Sequence, residues 1–417
     1  MARQYFAPWV HLEKTLSKLI ITKWKNRVVT ATFSGMEALE LSLEEDSSAL
    51  GNIYIGRVKN IVKNLNSAFV NFESDRTGYY SLSDNPQSLT VDGSWREIKG
   101  GDEILVQVAK DAVKTKDPVL TGNLNFTGKY AVVTAGKPVI GFSAKITDKA
   151  WKEAIKPQLE ALSEGRVGVI VRTNAYGCDQ VLLEEVKKLI AEYQNVLARA
   201  GFRTCYSCVY EAEPGYIRTL RGCRAGSVEE IVTDLQDVYE RMSEYLDASI
   251  GQPGTASTGQ VTSSSPQLRF YDSTGISLSA LYSLDTVMDQ ACQKRVWLKS
   301  GGYLIIEQTE AMVVIDVNTG KYTGKKNLQD TIRMINLEAA KEICHQLRLR
   351  NLSGIIMVDF IDMKDAKDKE LLMNQLRQYV LSDSVKTTVV DMTQLNLVEM
   401  TRKKEKKPLW EQISHIR

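Results

Sequence analysis

The chain has 417 residues, of which 43% are hydrophobic and 25% charged, values typical of a globular protein with two to four modules. Lys and Arg (53) nearly balance Asp and Glu (51), so any affinity for nucleic acid must come from local basic surfaces. No apolar run approaches the ~20 residues that span a bilayer, and no signal peptide is evident. We therefore expect a cytoplasmic protein with no membrane span.

The six cysteines are scattered, and a chain of this length does not need disulfides, so we expect reduced thiols. Cys205 and Cys208 form a C-x-x-C, which would suit a zinc or redox site. No second C-x-x-C or H-x-x-H accompanies them, and they lie in a run typical of a strand. Two core or edge thiols are the favoured interpretation, and we expect no zinc.

The first half of the chain has the pattern of short strands. Residues 15–45 predict a small antiparallel sheet. From Gly51 to about residue 110, closely spaced strands separated by Gly and Asn predict a five-stranded OB-type barrel. Residues 119–224 mix strands with helices whose apolar residues recur at intervals of three and four.

A change of pattern follows this mixed region. Ser227 and Glu230 form a plausible capping box, which predicts one long helix over SVEEIVTDLQDVYERMSEYL. The low-complexity stretch 251–266 cannot bury apolar area and predicts a flexible exposed loop.

The most informative segment runs from residue 302 to residue 363. AMVVIDVN and GIIMVDFIDM predict two strands buried on both faces, and the amphipathic stretch between them predicts a helix capped by Asn327. A strand, a helix and a strand in this order predict two parallel strands, which place Asp316 and Asp359 at the same edge of a sheet.

Two aspartates at one edge repel each other unless a cation lies between them. Mg²⁺, or Mn²⁺ in its place, is the natural occupant, and such an ion supports phosphodiester hydrolysis. Asn318 points to the same face as Asp316 and can orient a ligand or a water. One aspartate at a strand end is more often a cap or a loop partner, but two favour a site. The loop TGKYTGKK lacks P-loop spacing, so its lysines suit an RNA backbone better than a nucleotide.

The strings VVIDVNTG and NLEAAKEICHQLRLRNLSGIIMVDFIDM resemble the catalytic signature of the ribonuclease E/G family. GNIYIGRVKNIVKNLNSAFVNF resembles the start of that family's RNA-binding barrel, and the resemblance runs from about residue 18 to about residue 404. It implies a multidomain fold of α/β and β parts: an RNase H-like subdomain interrupted by an OB-type barrel and a 5′-sensor region, then a DNase I-like α/β catalytic subdomain. The implied boundaries are 1–48 and 225–290 for the RNase H-like parts, 49–118 for the barrel, 119–224 for the sensor, 291–405 for the catalytic subdomain and 406–417 for a basic tail.

The resemblance also implies the roles of individual residues. Asp316 and Asp359 match the family's metal ligands, and Asn318 matches the asparagine that supports catalysis. The remaining implied residues bind RNA: Gly128, Val132, Arg172 and Thr173 at a 5′-monophosphate pocket, and Phe69, Tyr79 and Lys116 on the barrel. An arginine can grip a phosphate through two hydrogen bonds, and aromatic rings stack on bases of any sequence.

Two departures from the family pattern stand out. Asp117 and Val119 replace the family's usual glycine and arginine after Lys116. The zinc-binding C-x-x-C that follows the catalytic subdomain in longer members is missing, as is a scaffold tail, so we expect a short form with no degradosome-type partners. A homodimer without a zinc link stays open.

The leading hypothesis is a magnesium-dependent hydrolytic endoribonuclease that cuts single-stranded, A/U-rich RNA in RNA processing and decay, stimulated by a 5′-monophosphate. A non-catalytic RNA-binding protein of the same fold is the alternative, and retention of Asp316, Asn318 and Asp359 argues against it. A nucleotide-dependent α/β enzyme is a weaker third interpretation, because no phosphate-cradling glycine motif precedes a helix.

Overall fold

The structure is a computed structural model and describes residues 17–44, 48–112, 117–223, 227–249, 266–272, 275–320 and 328–414. Lys116, Asn327 and nearly all of the loop predicted at 251–266 lie outside the described residues. The chain divides into a discontinuous unit, residues 1–44 with 222–417, and an inserted unit, residues 45–221. The subdomain boundaries expected from the sequence remain predictions.

The described part of the chain opens with a hairpin and a third strand, all rich in buried apolar residues. These strands are β1 (Ser17–Trp24), β2 (Arg27–Ser34) and β3 (Glu37–Leu43). They pair in order as antiparallel neighbours, as the sequence predicted.

The inserted unit follows and contains a barrel and a smaller sheet. Its elements are β4 (Ile53–Val62), β5 (Ser67–Asn71), β6 (Thr77–Ser81), β7 (Ser88–Leu89), β8 (Trp95–Arg96), β9 (Glu103–Lys110), β10 (Val119–Thr121), β11 (Asn125–Thr127), β12 (Ala131–Thr134), β13 (Ile140–Phe142), α1 (Lys149–Ser163), β14 (Gly168–Val171), α2 (Asp179–Ala200), β15 (Cys208–Tyr210) and α3 (Gly215–Gly222).

Five strands of this unit close into a barrel, in the order β4-β5-β6-β10-β9, because β4 also pairs with β9. The predicted closed barrel is therefore present, consistent with an OB-like domain. Inward-facing apolar side chains such as Val70, Tyr80 and Val106 fill its core. The second sheet has the order β11-β12-β14-β13, and helices α1 and α2 pack against it through residues such as Leu159 and Val186.

The chain then returns to the discontinuous unit. Its elements are β16 (Val228–Thr233), α4 (Gln236–Ser249), β17 (Gln267–Phe270), α5 (Leu278–Leu281), α6 (Leu284–Cys292), β18 (Arg295–Trp297), β19 (Tyr303–Gln308), β20 (Met312–Asn318), α7 (Leu328–Leu349), β21 (Gly354–Asp359), α8 (Ala366–Tyr379), β22 (Thr387–Met392), β23 (Leu397–Arg402) and α9 (Leu409–Ser414).

The single helix predicted from Ser227 is wrong. Residues 228–233 form strand β16, and the helix begins only at Gln236. β16 pairs in parallel with β1 and with β17, and completes a five-stranded sheet in the order β17-β16-β1-β2-β3. Val228, Ile231 and Val232 are buried there, so pairing with distant β1 outweighed the local capping signal.

A six-stranded sheet carries the two aspartates, in the order β18-β19-β20-β21-β23-β22. β20 and β21 pair in parallel with α7 between them in the chain, as predicted. Helices α7 and α8 cover one face through residues such as Ile335, Ile343 and Leu376. The prediction that β20 and β21 are buried on both faces is wrong, because Val314 and Ile355 on the other face are 39% and 50% exposed.

The chain after residue 405 also differs from the expected basic tail. Residues 409–414 form α9, and Leu409 and Ile413 are buried in the core beside β3. Gln412 accepts a hydrogen bond from the backbone N–H of Leu43, at 3.0 Å. These apolar contacts and the hydrogen bond to the Gln412 side chain hold the segment in place. The neighbouring lysines made the segment look like an exposed basic tail in the sequence. Within the described part of the chain, no helix has the length and apolar character needed to cross a membrane.

Candidate functional site

The carboxylates of Asp316 and Asp359 lie side by side on the open face of the six-stranded sheet. They are direct partners in the parallel ladder of β20 and β21, so their strands hold them about 5 Å apart at the backbone. Buried Ile315 and Val358 point to the opposite face, towards α7. The alternation of the two strands therefore turns both carboxylates to solvent, at the carboxyl end that the sequence predicted.

The charges of these two aspartates are not balanced by a basic side chain. Partial burial and then the neighbouring charges of Asp316 and Asp362 raise the pKa of Asp359 above its usual value. In the described ranges no Lys, Arg or His forms an ion pair with Asp316 or Asp359. This pair of carboxylates is thus a strongly negative point on the surface, and a cation would relieve its repulsion.

Asn318 holds one of the two carboxylates in place. Its Nδ2 donates a hydrogen bond of 2.7 Å to Oδ2 of Asp316, as expected for residues two apart on one face of a strand. Asp316, Asn318, Asp359 and Asp362 line an open pocket of about 300 Å³. The sequence analysis did not single out Asp362, although its place just after the strand in GIIMVDFIDM was a signal.

The donor set of the pocket suits a hard cation. Carboxylate and amide oxygens are the protein ligands that Mg²⁺ and Mn²⁺ favour, and Mg²⁺ commonly takes only one or two carboxylates and keeps several waters. No cluster of three His, Cys, Asp or Glu side chains with metal-binding spacing occurs in the part of the chain that the structure describes. The direct pairing of Asp316 and Asp359 fits a cation that takes two carboxylates from the protein.

The barrel presents a second open pocket of about 650 Å³, lined by Phe69. Phe69 and Tyr79 are partners in the β5–β6 ladder, and their half-buried rings meet edge to face at 6.3 Å between centroids. The structure thus brings together the two aromatic residues that the resemblance singled out. Lys116, the third, lies outside the described residues.

Two further residues line the same pocket and were missed by the sequence analysis. Exposed Lys59 and Asn60 lie opposite Phe69 where the register of β4 shifts, so a bulge turns both side chains outward. Asp117, one of the departures from the family pattern, also lines this pocket. The polar residues within GRVKNIV were the available signal, but a bulge cannot be read from alternation.

The four residues predicted to bind a 5′-phosphate lie close together in the inserted unit. The Nη1 of Arg172 donates a hydrogen bond of 2.7 Å to the backbone oxygen of buried Gly128. Val132 lies in β12 and pairs with Thr127, the residue before that glycine. The hydroxyl of Thr173 is exposed and 2.9 Å from the hydroxyl of Ser143. The geometry places the four in one neighbourhood.

Glu185 of α2 also lies in this neighbourhood, and no pattern in the sequence indicated its role. Its carboxylate accepts hydrogen bonds of 2.7 to 2.9 Å from the backbone N–H groups of Lys129, Tyr130 and Ala131. A Cβ at position 128 would collide with that carboxylate unless the Glu185 side chain moved away. The backbone N–H groups that follow Gly128 therefore already bind an anion, the carboxylate of Glu185.

The C-x-x-C cysteines lie at the edge of the inserted unit. Cys205 is half-buried and Cys208 exposed, and both are free thiols. The Cys208 thiol faces the backbone oxygen of Tyr210 at 3.2 Å. Neither cysteine lies among the residues of the two pockets described above.

Comparison with known proteins finds one family and a set of long matches. The model of the Ribonuclease E/G family matches residues 125–405. Ribonuclease G of Salmonella typhimurium and Ribonuclease G of Escherichia coli K12 are each 31% identical over 408 residues, which is 95% of this chain and 80% of each relative. Ribonuclease E of Nostoc sp. is 30% identical over 390 residues, covering 92% of this chain and 55% of the relative.

Proposed function

Because the chain belongs to the ribonuclease E/G family and is an endoribonuclease, we propose that it hydrolyses single-stranded RNA at Asp316 and Asp359 with the help of Mg²⁺. Enzymes of this family are metal-dependent nucleases. The observation that carries the proposal is the direct register of two carboxylates that no basic side chain of the described residues balances.

Each residue of the site has a distinct task in this proposal. Asp316 and Asp359 hold the cation, for which Mn²⁺ can substitute, and Asn318 keeps the carboxylate of Asp316 in one orientation through its hydrogen bond. The bound cation supplies charge stabilisation at the phosphate and lowers the pKa of a water. Hydrolysis that leaves a 5′-phosphate and a 3′-hydroxyl requires a water to attack the phosphorus while the bond from phosphorus to the 3′-oxygen breaks and that oxygen takes up a proton. Asp316 and Asp359 would hold the cation beside the reacting phosphate.

The barrel and the second sheet supply the rest of the proposed RNA path. Phe69 and Tyr79 offer aromatic edges and faces for bases, and Lys116 and Lys59 offer positive charge for the backbone. Arg172, Thr173 and the main chain at Gly128 and Val132 form the proposed 5′-monophosphate pocket. The hydrogen bond from Arg172 to the backbone of Gly128 supports this assignment, since it joins the two segments that carry the proposed pocket residues.

The expected division into subdomains also remains a proposal. β1 pairs in parallel with β16, and β16 pairs in parallel with β17, which supports an RNase H-like subdomain built from both segments. The sheet that holds the two aspartates supports a separate DNase I-like catalytic subdomain in the chain after residue 290. A homodimer, a cytoplasmic location and a preference for A/U-rich RNA stay predictions.

The direct test uses a 5′-labelled single-stranded oligoribonucleotide, Mg²⁺ or EDTA, and the variant Asp316→Asn. We expect internal cleavage by the wild type in Mg²⁺ only, and cleavage by the variant reduced by roughly three orders of magnitude with RNA binding retained. Exposed Asp391 lies on β22 of the same sheet, so Asp391→Asn is the matched control and should cut normally. Binding without fragments in wild-type reactions would instead favour the non-catalytic alternative.

A second arm tests the 5′ end. Oligoribonucleotides with a 5′-monophosphate should be cut faster than those with a 5′-hydroxyl, and Arg172→Ala should remove that difference. If the wild type cuts the 5′-monophosphate and 5′-hydroxyl substrates at equal rates, the proposed roles of Arg172 and Thr173 are wrong. The catalytic assignment would be unaffected.

A further inference from the structure

We propose that Arg295, Trp297 and Tyr303 form a stacking subsite, which binds a base of the RNA strand beside the cleavage site. The inference rests on the proposed function for its ligand, single-stranded RNA. It concerns residues that neither the sequence motifs nor the 5′-phosphate and barrel assignments include.

The sheet register places this subsite on the same face as the catalytic carboxylates. Trp297 pairs with Tyr303, and Tyr303 pairs with Asn318. One row further along, Arg295 pairs with Ile305, and Ile305 pairs with Asp316. Directly paired residues of neighbouring strands point to the same face. The first row therefore leads across the sheet to Asn318, and the second leads to Asp316 and Asp359.

The distance from the subsite to the carboxylates suits a short length of RNA. β18, which carries Trp297, lies two strands from β20, which carries Asp316, or roughly 10 Å across the sheet. A single strand that crosses the sheet along these rows can therefore rest a base on Trp297. The same strand then presents a phosphate, a few nucleotides away, to Asp316 and Asp359.

The rings are arranged so that one large aromatic surface is open. Trp297 is 63% exposed, although indoles are usually well covered in folded proteins. Its ring meets the half-buried ring of Tyr303 at 5.3 Å between centroids and 61°, so Tyr303 supports it from one side. A supported and exposed indole loses little side-chain freedom when a base stacks on it.

Arg295 adds positive charge to this surface. Its guanidinium lies 4.7 Å from the ring of Tyr303 and 5.6 Å from the ring of Trp297. Across the described ranges no carboxylate forms an ion pair with Arg295, whereas neighbouring Lys294 is paired with Glu307 at 2.8 Å. The charge of Arg295 is therefore available for a phosphate, in a region where the two aspartates would otherwise repel the RNA backbone.

Stacking of this kind recognises a base by its ring face. It is sequence-tolerant, because every base has such a face. The subsite would therefore position the strand relative to the cleaved bond rather than select a particular sequence.

Binding is measured first, by fluorescence anisotropy of a labelled single-stranded oligoribonucleotide in EDTA, so that no cleavage intervenes. We expect Trp297→Ala to raise Kd roughly 5- to 150-fold, and Trp297→Phe to recover most of the loss, because a phenyl ring still stacks. The matched control is Trp410→Ala, which removes a 45% exposed indole bonded to Gln308 at the far end of β19. The control should stay within about twofold of the wild type.

The second measurement locates the base. A series of oligoribonucleotides, each with one base-free nucleotide at a successive position around the cleaved bond, is assayed with the wild type and Trp297→Ala. We expect one position where loss of the base weakens binding by the wild type but not by the variant. A merely structural role for Trp297 would weaken all members of the series alike.

The outcomes separate this inference from the proposed function. If the wild type binds and cuts RNA while Trp297→Ala has an unchanged Kd and an unchanged base-free profile, the stacking subsite is wrong and the catalytic assignment stands. If the wild type neither binds nor cuts the oligoribonucleotide, the proposed function fails, and the subsite fails with it.

Discussion

Asp359 on the six-stranded sheet and Glu185 in the inserted unit are two carboxylates with opposite surroundings. Glu185 accepts hydrogen bonds from three backbone N–H groups, which belong to Lys129, Tyr130 and Ala131. The side chain of Asp359 has no hydrogen-bond donor among the described residues and faces a second carboxylate instead, which helps to raise its pKa. The protein itself compensates the charge of Glu185, whereas no donor among the described residues compensates the charge of Asp359. Compensation, more than position at a strand end, separates a structural carboxylate from a candidate site.

The largest effect that this comparison predicts is at Asp359. Asp359→Asn should lower the rate of RNA cleavage by roughly three orders of magnitude, since it removes a proposed metal ligand. The same change should leave the free energy of unfolding equal or raise it, by up to about 0.5 kcal/mol, because it removes a repulsion at an exposed position. Cleavage assays and urea denaturation without divalent ions measure the two effects. A clearly less stable variant would show that the carboxylate has a structural role and would break the comparison.

Phe69 on the barrel provides the next effect. Phe69→Ala should weaken binding of a single-stranded oligoribonucleotide by about 1–3 kcal/mol, because one stacking surface is lost. Phe202 lies in the same unit, is 92% exposed and is not among the residues of the barrel pocket, so Phe202→Ala is the matched control. Anisotropy measurements compare the two variants. Equal affinity of Phe69→Ala and the wild type would remove Phe69 from the RNA path.

Glu185 tests the compensated side of the comparison. Glu185→Ala should lower the free energy of unfolding of the chain by about 2 kcal/mol, because charged hydrogen bonds to three N–H groups are lost. Glu184→Ala, at the exposed neighbouring position of α2, should change it by less than about 0.5 kcal/mol. Chemical denaturation gives both values. Equal stability of the two variants would show that water replaces the carboxylate without loss.

The smallest effect concerns His345, a second charge that the protein compensates. Burial alone would lower the pKa of His345, but the hydrogen bond and charge of Glu342, the backbone oxygen of Ala38 and the charge of Glu37 raise it above its usual value. A raised pKa in the folded state means that the stabilisation is fully present below about pH 6.5 and is lost as the pH rises through the folded-state pKa.

We therefore expect the urea midpoint of the wild type to fall as the pH rises above about 6.5. His345→Gln should flatten this part of the pH profile. The difference between the two profiles measures the contribution of His345. The same slope in the variant and the wild type would assign the pH dependence to another group.

The strands that carry Asp316 and Asp359 show which features the sequence could predict. The apolar runs before Asp316 and Asp359, with an amphipathic stretch between them, correctly predicted two parallel strands with both carboxylates at one edge. The open face of this sheet was not predicted, because Val314 and Ile355 are as apolar as the buried residues beside them. The sequence alone does not distinguish an apolar residue on an open sheet face from an apolar residue in a core.

The stretch after Ser227 shows where local signals were overruled. Ser227 and Glu230 fit a helix start, yet residues 228–233 extend as β16, because they pair in parallel with strand β1, over 200 residues earlier. α9 illustrates the same limit, since it is buried by packing beside β3, which lies more than 350 residues earlier in the chain. Such long-range contacts leave no mark on local composition.

The sequence by itself determined the family, the closed barrel and the meeting of two aspartates on neighbouring strands, because each of these depends on periodicity and on ordered motifs within one segment. The tertiary structure alone decided which charges are compensated. Glu185 reaches its three N–H groups from a helix more than fifty residues away, and Trp297 meets the row of Asn318 only through the register of three strands. Electrostatic balance and surface accessibility are properties of contacts in space, and a chain specifies them only once it has folded.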